Sequence, residues 1–478
     1  MRNLVNCVQF VLLISFIFPS CKKLVQVPPP STSIADNTVY TSNATAIAVL
    51  TGIYAGMSEP ELVVAGSIPS ISLFAGLSAD ELSLWSGSQN MVMQAYYQNA
   101  LSGANGGPGS EYWSGLYQAI YSCNIAMEGL NTSSGLTPAV KQQLMGEALF
   151  MRAFFYFYLV NLYGDLPLAL TSSYQENSRL ARVGTGVVYQ QIVADLQAAS
   201  GLLSTEFVDG TLVGVSTERV RPTKWAAQAL LARVYLYMGY WSSAEQEADS
   251  VISKTALFGL SSLSQAFLRA SSGNNEAIWQ LQPVDKGWNT EDAVAFIIPP
   301  TGPSPGSVYL SHQLLSSFEP GDRRRVSWVD STVAGGVVYY FAYKYKVNTY
   351  EAPVTEYLTI LRLAEVYLVR SEARAEQGNL AGAAADLNLL RARAGLGPTS
   401  AVTEQDLLTA ILHERQVELF TELGHRWLDL KRTGHVDSVM SVVTPLKGGG
   451  AWQPYQQLYP VAPGDIQSNS ALTQNSGY

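Results

Sequence analysis

Apolar residues follow two rhythms along this chain. From Ala148 to Tyr163 almost every position is apolar, so a helix here has no polar face and must be wrapped by other elements. Thr137 stands where an N-cap belongs, and Pro138 suits the first helical turn, where its missing N–H costs nothing. Gly164 suits a left-handed close, and Pro167 then stops the helix from resuming. The pattern predicts a buried helix within Lys141–Leu168. Glu147 and Arg152 interrupt it too soon for a membrane span, which needs about 18 or more apolar residues.

Elsewhere the apolar positions recur every three or four residues. Ala35–Gly56 and Glu111–Leu130 read as helices, the second with Trp113, Tyr117, Ile120 and Asn124 on one face. Val187–Leu203 is amphipathic. Thr223 caps a helix through Trp225, Leu230 and Leu231 that stops at Gly239, and Tyr240–Ile252 folds back. The stretch LLARVYLYMGYWSSAEQEA has the spacing of a tetratricopeptide helix pair. A second copy lies downstream: setting Gly378 on Gly239 places Ala383 on Ala244, Leu387 on Ala248 and Leu390 on Val251. The copies do not keep the roughly 34-residue period of a regular solenoid. Leu358–Gln377, Leu380–Arg393 and Glu404–Leu423 complete the helical body, with Thr403 and Asp406 as a capping box for the last.

Two long stretches break this rhythm. Residues 59–110 and 255–357 are rich in Gly, Ser, Asn and Pro, yet they hold tryptophans and tyrosines. Insertions of that length in a compact body are usually functional. The tail, Val436–Tyr478, reads as irregular chain lying over the body. The fold class expected is mainly α: tetratricopeptide-like helix hairpins packed in one body, with long loop-rich insertions and a few short strands. A single domain, 35–478, follows an export signal over 1–20 and a tether over 21–34.

Arg2 and the apolar Val8–Phe18 make the signal, which is too short to anchor the chain by itself. Ser20-Cys21 falls at the cleavage point. A cysteine there resembles a bacterial lipoprotein signal, in which the thiol is lipidated, although Phe18-Pro19 replaces the residues usual before it. Free thiols are unwelcome in exported proteins, which favours the lipid. With Cys7 removed and Cys21 acylated, Cys123 is left without a disulfide partner. Pro28-Pro29-Pro30 stiffens the tether.

Charged residues are 14% of the chain and the formal net charge is −9. The one short basic run, Arg323-Arg324-Arg325, is no footprint for nucleic acid. Twenty-six tyrosines and nine tryptophans argue against disorder.

Several stretches, in order, resemble the SusD/RagB family of glycan-binding outer-membrane lipoproteins: CKKLVQVPPP, GEALFMRAFFYFYLVNLYGDLPL, RPTKWAAQALLARVYLY, ILRLAEVYLVRSEA, ERQVELFTELGHRWLDLKRTG and LYPVAPGDIQSNSALTQNSGY. The resemblance implies a surface-exposed, lipid-anchored binding protein, not an enzyme. It would capture an oligosaccharide and deliver it to a TonB-dependent, SusC-like outer-membrane transporter. No cofactor is implied.

Catalytic readings have little to rest on. Gly302-Pro303-Ser304-Pro305-Gly306 fits the formula of a hydrolase elbow, but Pro305 pushes Ser304 out of the helical region that the elbow needs. His413-Glu414 opens like a zinc-protease helix, but Val417 replaces the second histidine. The four histidines and three cysteines form no metal-binding spacing. Asp80-Glu81 and Glu291-Asp292 are the carboxylate pairs that glycoside hydrolysis could use. Charges inside apolar helices, Arg152, Arg362, Glu365, Glu414 and Arg415, are expected to pair between helices.

Sugar binding asks for aromatic faces against the C–H side of a pyranose, with amides and carboxylates for its hydroxyls. The candidate residues are Trp85, Tyr96, Tyr97, Trp288 and Trp328, with Asp80, Asn90 and Asn289 beside them. The alternatives are a tetratricopeptide-like scaffold for protein or peptide, and a secreted glycoside hydrolase.

Overall fold

A computed structural model describes residues 39–58, 65–284 and 287–478. The expected signal, Cys21 and the tether lie outside the described residues, as does 59–64 at the start of the first insertion.

After α1 (Asn43–Ser58), the first insertion is more ordered than its composition predicts. It holds α2 (Ile71–Ser78), buried at every position, the strand β1 (Leu82–Leu84) and the short helix α3 (Met91–Tyr97). Elements this short have too few residues for a period to show in the sequence.

The helix α4 (Glu111–Thr132) leads to α5 (Pro138–Tyr163), whose residues from Phe150 to Val160 are all buried. Pro138 opens α5 and Gly164 closes it at φ +77°, while Thr137 occupies the N-cap with its hydroxyl accepting from Asn43 Nδ2 at 3.2 Å and not from the helix. α5 packs between α4 and α6 (Thr185–Leu202). Arg152 joins the three: its guanidinium donates to Asp195 of α6 at 2.7 and 2.8 Å and to Asn124 of α4 at 2.9 Å.

Two hairpins follow the tetratricopeptide pattern. In the earlier one, α7 (Lys224–Tyr237) turns at Gly239, φ +72°, into α8 (Trp241–Ile252). Before its counterpart comes the second insertion, with β2 (Ala277–Leu281), α9 (Glu291–Phe296), β3 (Val308–Leu310), the hairpin β4 (Val329–Ala334) and β5 (Val337–Ala342), and β6 (Leu358–Arg362). Gly335 and Gly336 both take positive φ, the left-handed pair that a tight two-residue hairpin turn requires. Then α10 (Leu363–Glu376) turns at Gly378, φ +75°, into α11 (Leu380–Arg393) and packs on α8. Ala244 and Ala383 are both sealed between helices, as the alignment of the two copies predicts.

Leu358–Arg362 is a strand, not the opening of a helix, because it pairs antiparallel with β2 and so draws the two ends of the insertion together. α12 (Glu404–Glu418) is capped by the Thr403 hydroxyl, and α13 (His425–Arg432) follows. The tail is less irregular than expected: Val436–Leu446 forms α14.

One pairing positions the functional surface. β1, from the first insertion, is antiparallel to β3, from the second, with Ser83 opposite Tyr309. Ser311 reinforces the seam, its N–H donating to the Glu81 carbonyl at 3.0 Å. Beneath lies an ionic layer in which Arg324, Arg362 and Arg393 face Glu276, Glu414, Glu418 and Glu422. The buried charges Arg362 and Glu414 thus pair between elements, as do Glu365 with Arg233 and Arg415 with Asp429.

Candidate functional site

The two insertions enclose a cleft of about 690 Å³. Such a volume lies in the range of small-ligand sites. Gln89 and Asn90 line it from the first insertion; Trp288, Glu291, Ser304, Ser307 and Asn348 line it from the second, above an apolar patch of Val294, Ala295 and Ile297.

Local chemistry explains how each wall is held. Asn90 is the N-cap of α3, its side-chain oxygen accepting the Met93 N–H at 3.1 Å. Thr290 caps α9 in the same manner and presents Glu291 and Val294 to the cleft. Between Gly302 (φ +99°) and Gly306 (φ +97°) the chain turns, and the Ser304 N–H donates to the Ser307 hydroxyl at 2.9 Å. Ser304 is exposed in a coil, as Pro305 predicts, and not on a nucleophile elbow. Trp288 is half-buried, and the Tyr350 ring meets it edge-on at 5.5 Å. Gly287 makes room for that pairing: at φ +103°, a Cβ there would come within 2.4 Å of Tyr350.

Trp85 is also half-buried, just beyond β1, with its backbone N–H donating to the carbonyl of the lining residue Ser307 at 3.1 Å. Its indole lies over Gly87, where a Cβ would approach the ring to 2.3 Å. Tyr97 is half-buried on α3, and its phenol lies beside Ser83 of β1.

Four residues expected at the site are committed elsewhere. Tyr96 is fully buried; its hydroxyl donates to Glu111 at 2.9 Å and its ring packs against Phe74 at 4.9 Å. Trp328 is sealed in the ionic layer, its indole N–H held by the Leu263 carbonyl at 2.8 Å and Lys344 lying 5.0 Å from the ring. Asp80 is buried in a two-pronged pair with Arg426, at 2.8 and 2.7 Å. Asn289 is 1% exposed and serves as a clamp. Its oxygen accepts the Thr355 and Glu356 N–H groups and its nitrogen donates to Pro353, which fixes the backbone beside Trp288.

The carboxylate pairs do not face one reaction centre. Glu81 points inward to the Thr421 N–H, and burial lifts it to about 7. Burial likewise raises Asp292 well above the usual carboxylate range. Among the described residues, Glu291 is the carboxylate that lines the cleft, and no group of His, Cys, Asp and Glu could hold a metal ion. Among them too, no helix is long and apolar enough to cross a membrane.

Sequence reasoning missed Tyr309, Tyr339 and Tyr350 as half-exposed or exposed aromatics near the cleft. The alternation Val308-Tyr309-Leu310 carried the signal for one of them. A second hollow, about 710 Å³, lies among the helices, lined by Tyr237, Trp241, Glu372, His413 and Arg432.

Comparison with known proteins finds two family profiles. One, described as "Starch-binding associating with outer membrane", matches residues 36–236; the other, described as "SusD family", matches residues 329–478. The chain is 24% identical over 431 residues to SusD-like protein P25 of Formosa agariphila, spanning 77% of this chain and 80% of that one. Among solved structures, a SusD superfamily protein from Bacteroides vulgatus superposes with a TM-score of 0.77 at 19% identity, covering 92% of this chain and 100% of its own. A structure described as a laminarin-binding SusD-like protein superposes with a TM-score of 0.74 at 24% identity, again covering 92% and 100%.

Proposed function

The chain belongs to the SusD/RagB family, and on that premise we propose that it is a non-catalytic glycan receptor. Tethered by lipid at Cys21 to the outer surface of the outer membrane, it captures an oligosaccharide and passes it to a TonB-dependent, SusC-like transporter. The observation that carries this reading is the cleft between the insertions. It combines an indole, Trp288, with the amides of Gln89, Asn90 and Asn348 and the hydroxyls of Ser304 and Ser307. An aromatic face with converging amides and hydroxyls matches the two faces of a sugar ring. The relative described as laminarin-binding and the family description naming starch support a glycan as the ligand class.

Calorimetry against neutral glycans is the test. Saturable binding without cleavage is expected, and Trp288→Ala should weaken it roughly fivefold or more, since an aromatic contact is worth on the order of 1 kcal/mol. An unchanged affinity in that variant, or released sugar products, would overturn the reading.

The helical hollow supports a second reading, a scaffold for peptide or protein, because Tyr237, Trp241, Leu408 and Leu412 line it from different helices. In that case Trp288→Ala would leave ligand binding intact.

A further inference from the structure

The cleft does not end at Ser307. On the β1–β3 ribbon, Leu82, Leu84, Val308 and Leu310 are buried, while Ser83 and Tyr309, which are opposite each other, are half-exposed. The ladder runs one step further, through the Trp85 N–H and the Ser307 carbonyl. Because side chains alternate across a strand, Trp85 and Ser83 share the outward face with Tyr309. Tyr97 comes in from α3, its phenol lying beside Ser83 and Tyr309. Tyr339 of β5 closes the row, meeting Tyr309 edge-on at 5.4 Å.

This row starts at the wall of the cleft. Ser307 lines the cleft, and Tyr309 lies two residues further along the same strand, about 7 Å away at the usual rise. The Tyr339 ring stands another 5.4 Å beyond. Asn90 and Tyr97 repeat the relation on α3: the cap residue is in the cleft and the tyrosine is on the ribbon. The edge-on packing of Tyr309 against Tyr339 restrains both rings before any ligand arrives, so less side-chain freedom is lost on contact.

We infer that the binding site runs from the cleft onto this ribbon, and that its ligand is a chain of several sugar units whose far end rests on Tyr309 and Tyr339. The inference rests on the reading of the cleft as a glycan site and adds a ligand size to it. A disaccharide stays within the cleft; a longer chain gains the tyrosine row.

The experiment is a chain-length series by calorimetry, using neutral oligosaccharides from starch, laminarin, xylan and mannan, from disaccharide to octasaccharide. For the ladder that binds, wild-type affinity should climb with length and then level off. Tyr339→Ala and Tyr309→Ala should each weaken the long chains by about tenfold and leave the disaccharide unchanged. Tyr309→Phe, which keeps the ring, should bind long chains as wild type does. Trp288→Ala should weaken short and long chains alike.

Wild-type affinity without length dependence would overturn the inference. So would equal losses for short and long chains in Tyr339→Ala, or long-chain binding unchanged in that variant. If Tyr309→Ala fails to fold, as its melting curve would show, Tyr339→Ala decides the matter. Should no ladder bind, or Trp288→Ala bind every chain as wild type does, it is the cleft reading that fails, and the extension goes with it.

Discussion

Burial holds the Glu81 carboxyl at about 7, above its ordinary value of 4.5. The folded state therefore favours the neutral acid. That contribution to stability is complete below pH 4.5 and disappears as pH rises through about 7. Glu81→Gln retains an oxygen for the Thr421 N–H but cannot ionise. Its unfolding free energy should gain on wild type across this window by at most about 1.4 kcal/mol per pH unit. Denaturant titrations at the two ends of the window measure the difference, and a constant gap between the two proteins would refute it. At this scale the sequence is least informative. Trp288 and Trp328 sit in the same polar, glycine-rich stretch, and nothing local to either tells them apart. Trp328 is sealed because Lys344, Arg362 and Arg393, remote in the chain, close around its ring. Trp288 stays half-exposed because Gly287 and the Asn289 clamp hold its loop at the rim.

Among elements, α4, α5 and α6 share one buried connection through Arg152. Asp195→Ala would leave that guanidinium without its counter-ion at a site 7% exposed, and such losses cost about 3–5 kcal/mol. Chemical denaturation should show a midpoint lowered to match. A replacement of both Arg152 and Asp195 by apolar residues should recover much of the loss, whereas two equal and additive losses would argue against the pair. The helices themselves were legible. A run of apolar residues between Pro138 and Gly164, and matched glycines at 239 and 378, suffice for a long buried helix and two hairpins. The strands were not, because β1 and β3 have three residues each and owe their shape to each other. The same reason hid α2 and turned Leu358–Arg362 from an expected helix start into β6.

For the molecule as a whole, helical hairpins form the body and the two insertions form the cleft. What composition did not reveal is that the insertions depend on one another. The proposed lipid anchor is tested at this scale too. Cys21→Ala should abolish labelling by radioactive palmitate and release the protein from the outer-membrane fraction, with glycan affinity in solution unchanged. A wild-type protein that takes up no label would end the lipid-anchor reading.

The seam between β1 and β3 also sets an order of events during synthesis. A chain threaded out amino end first delivers Leu82–Leu84 long before Val308–Leu310 can meet it. Until then the early strand has no mate and the aromatic floor does not exist. A nascent or clipped chain that stops short of Tyr309 would therefore lack this surface, however well its helices had already formed.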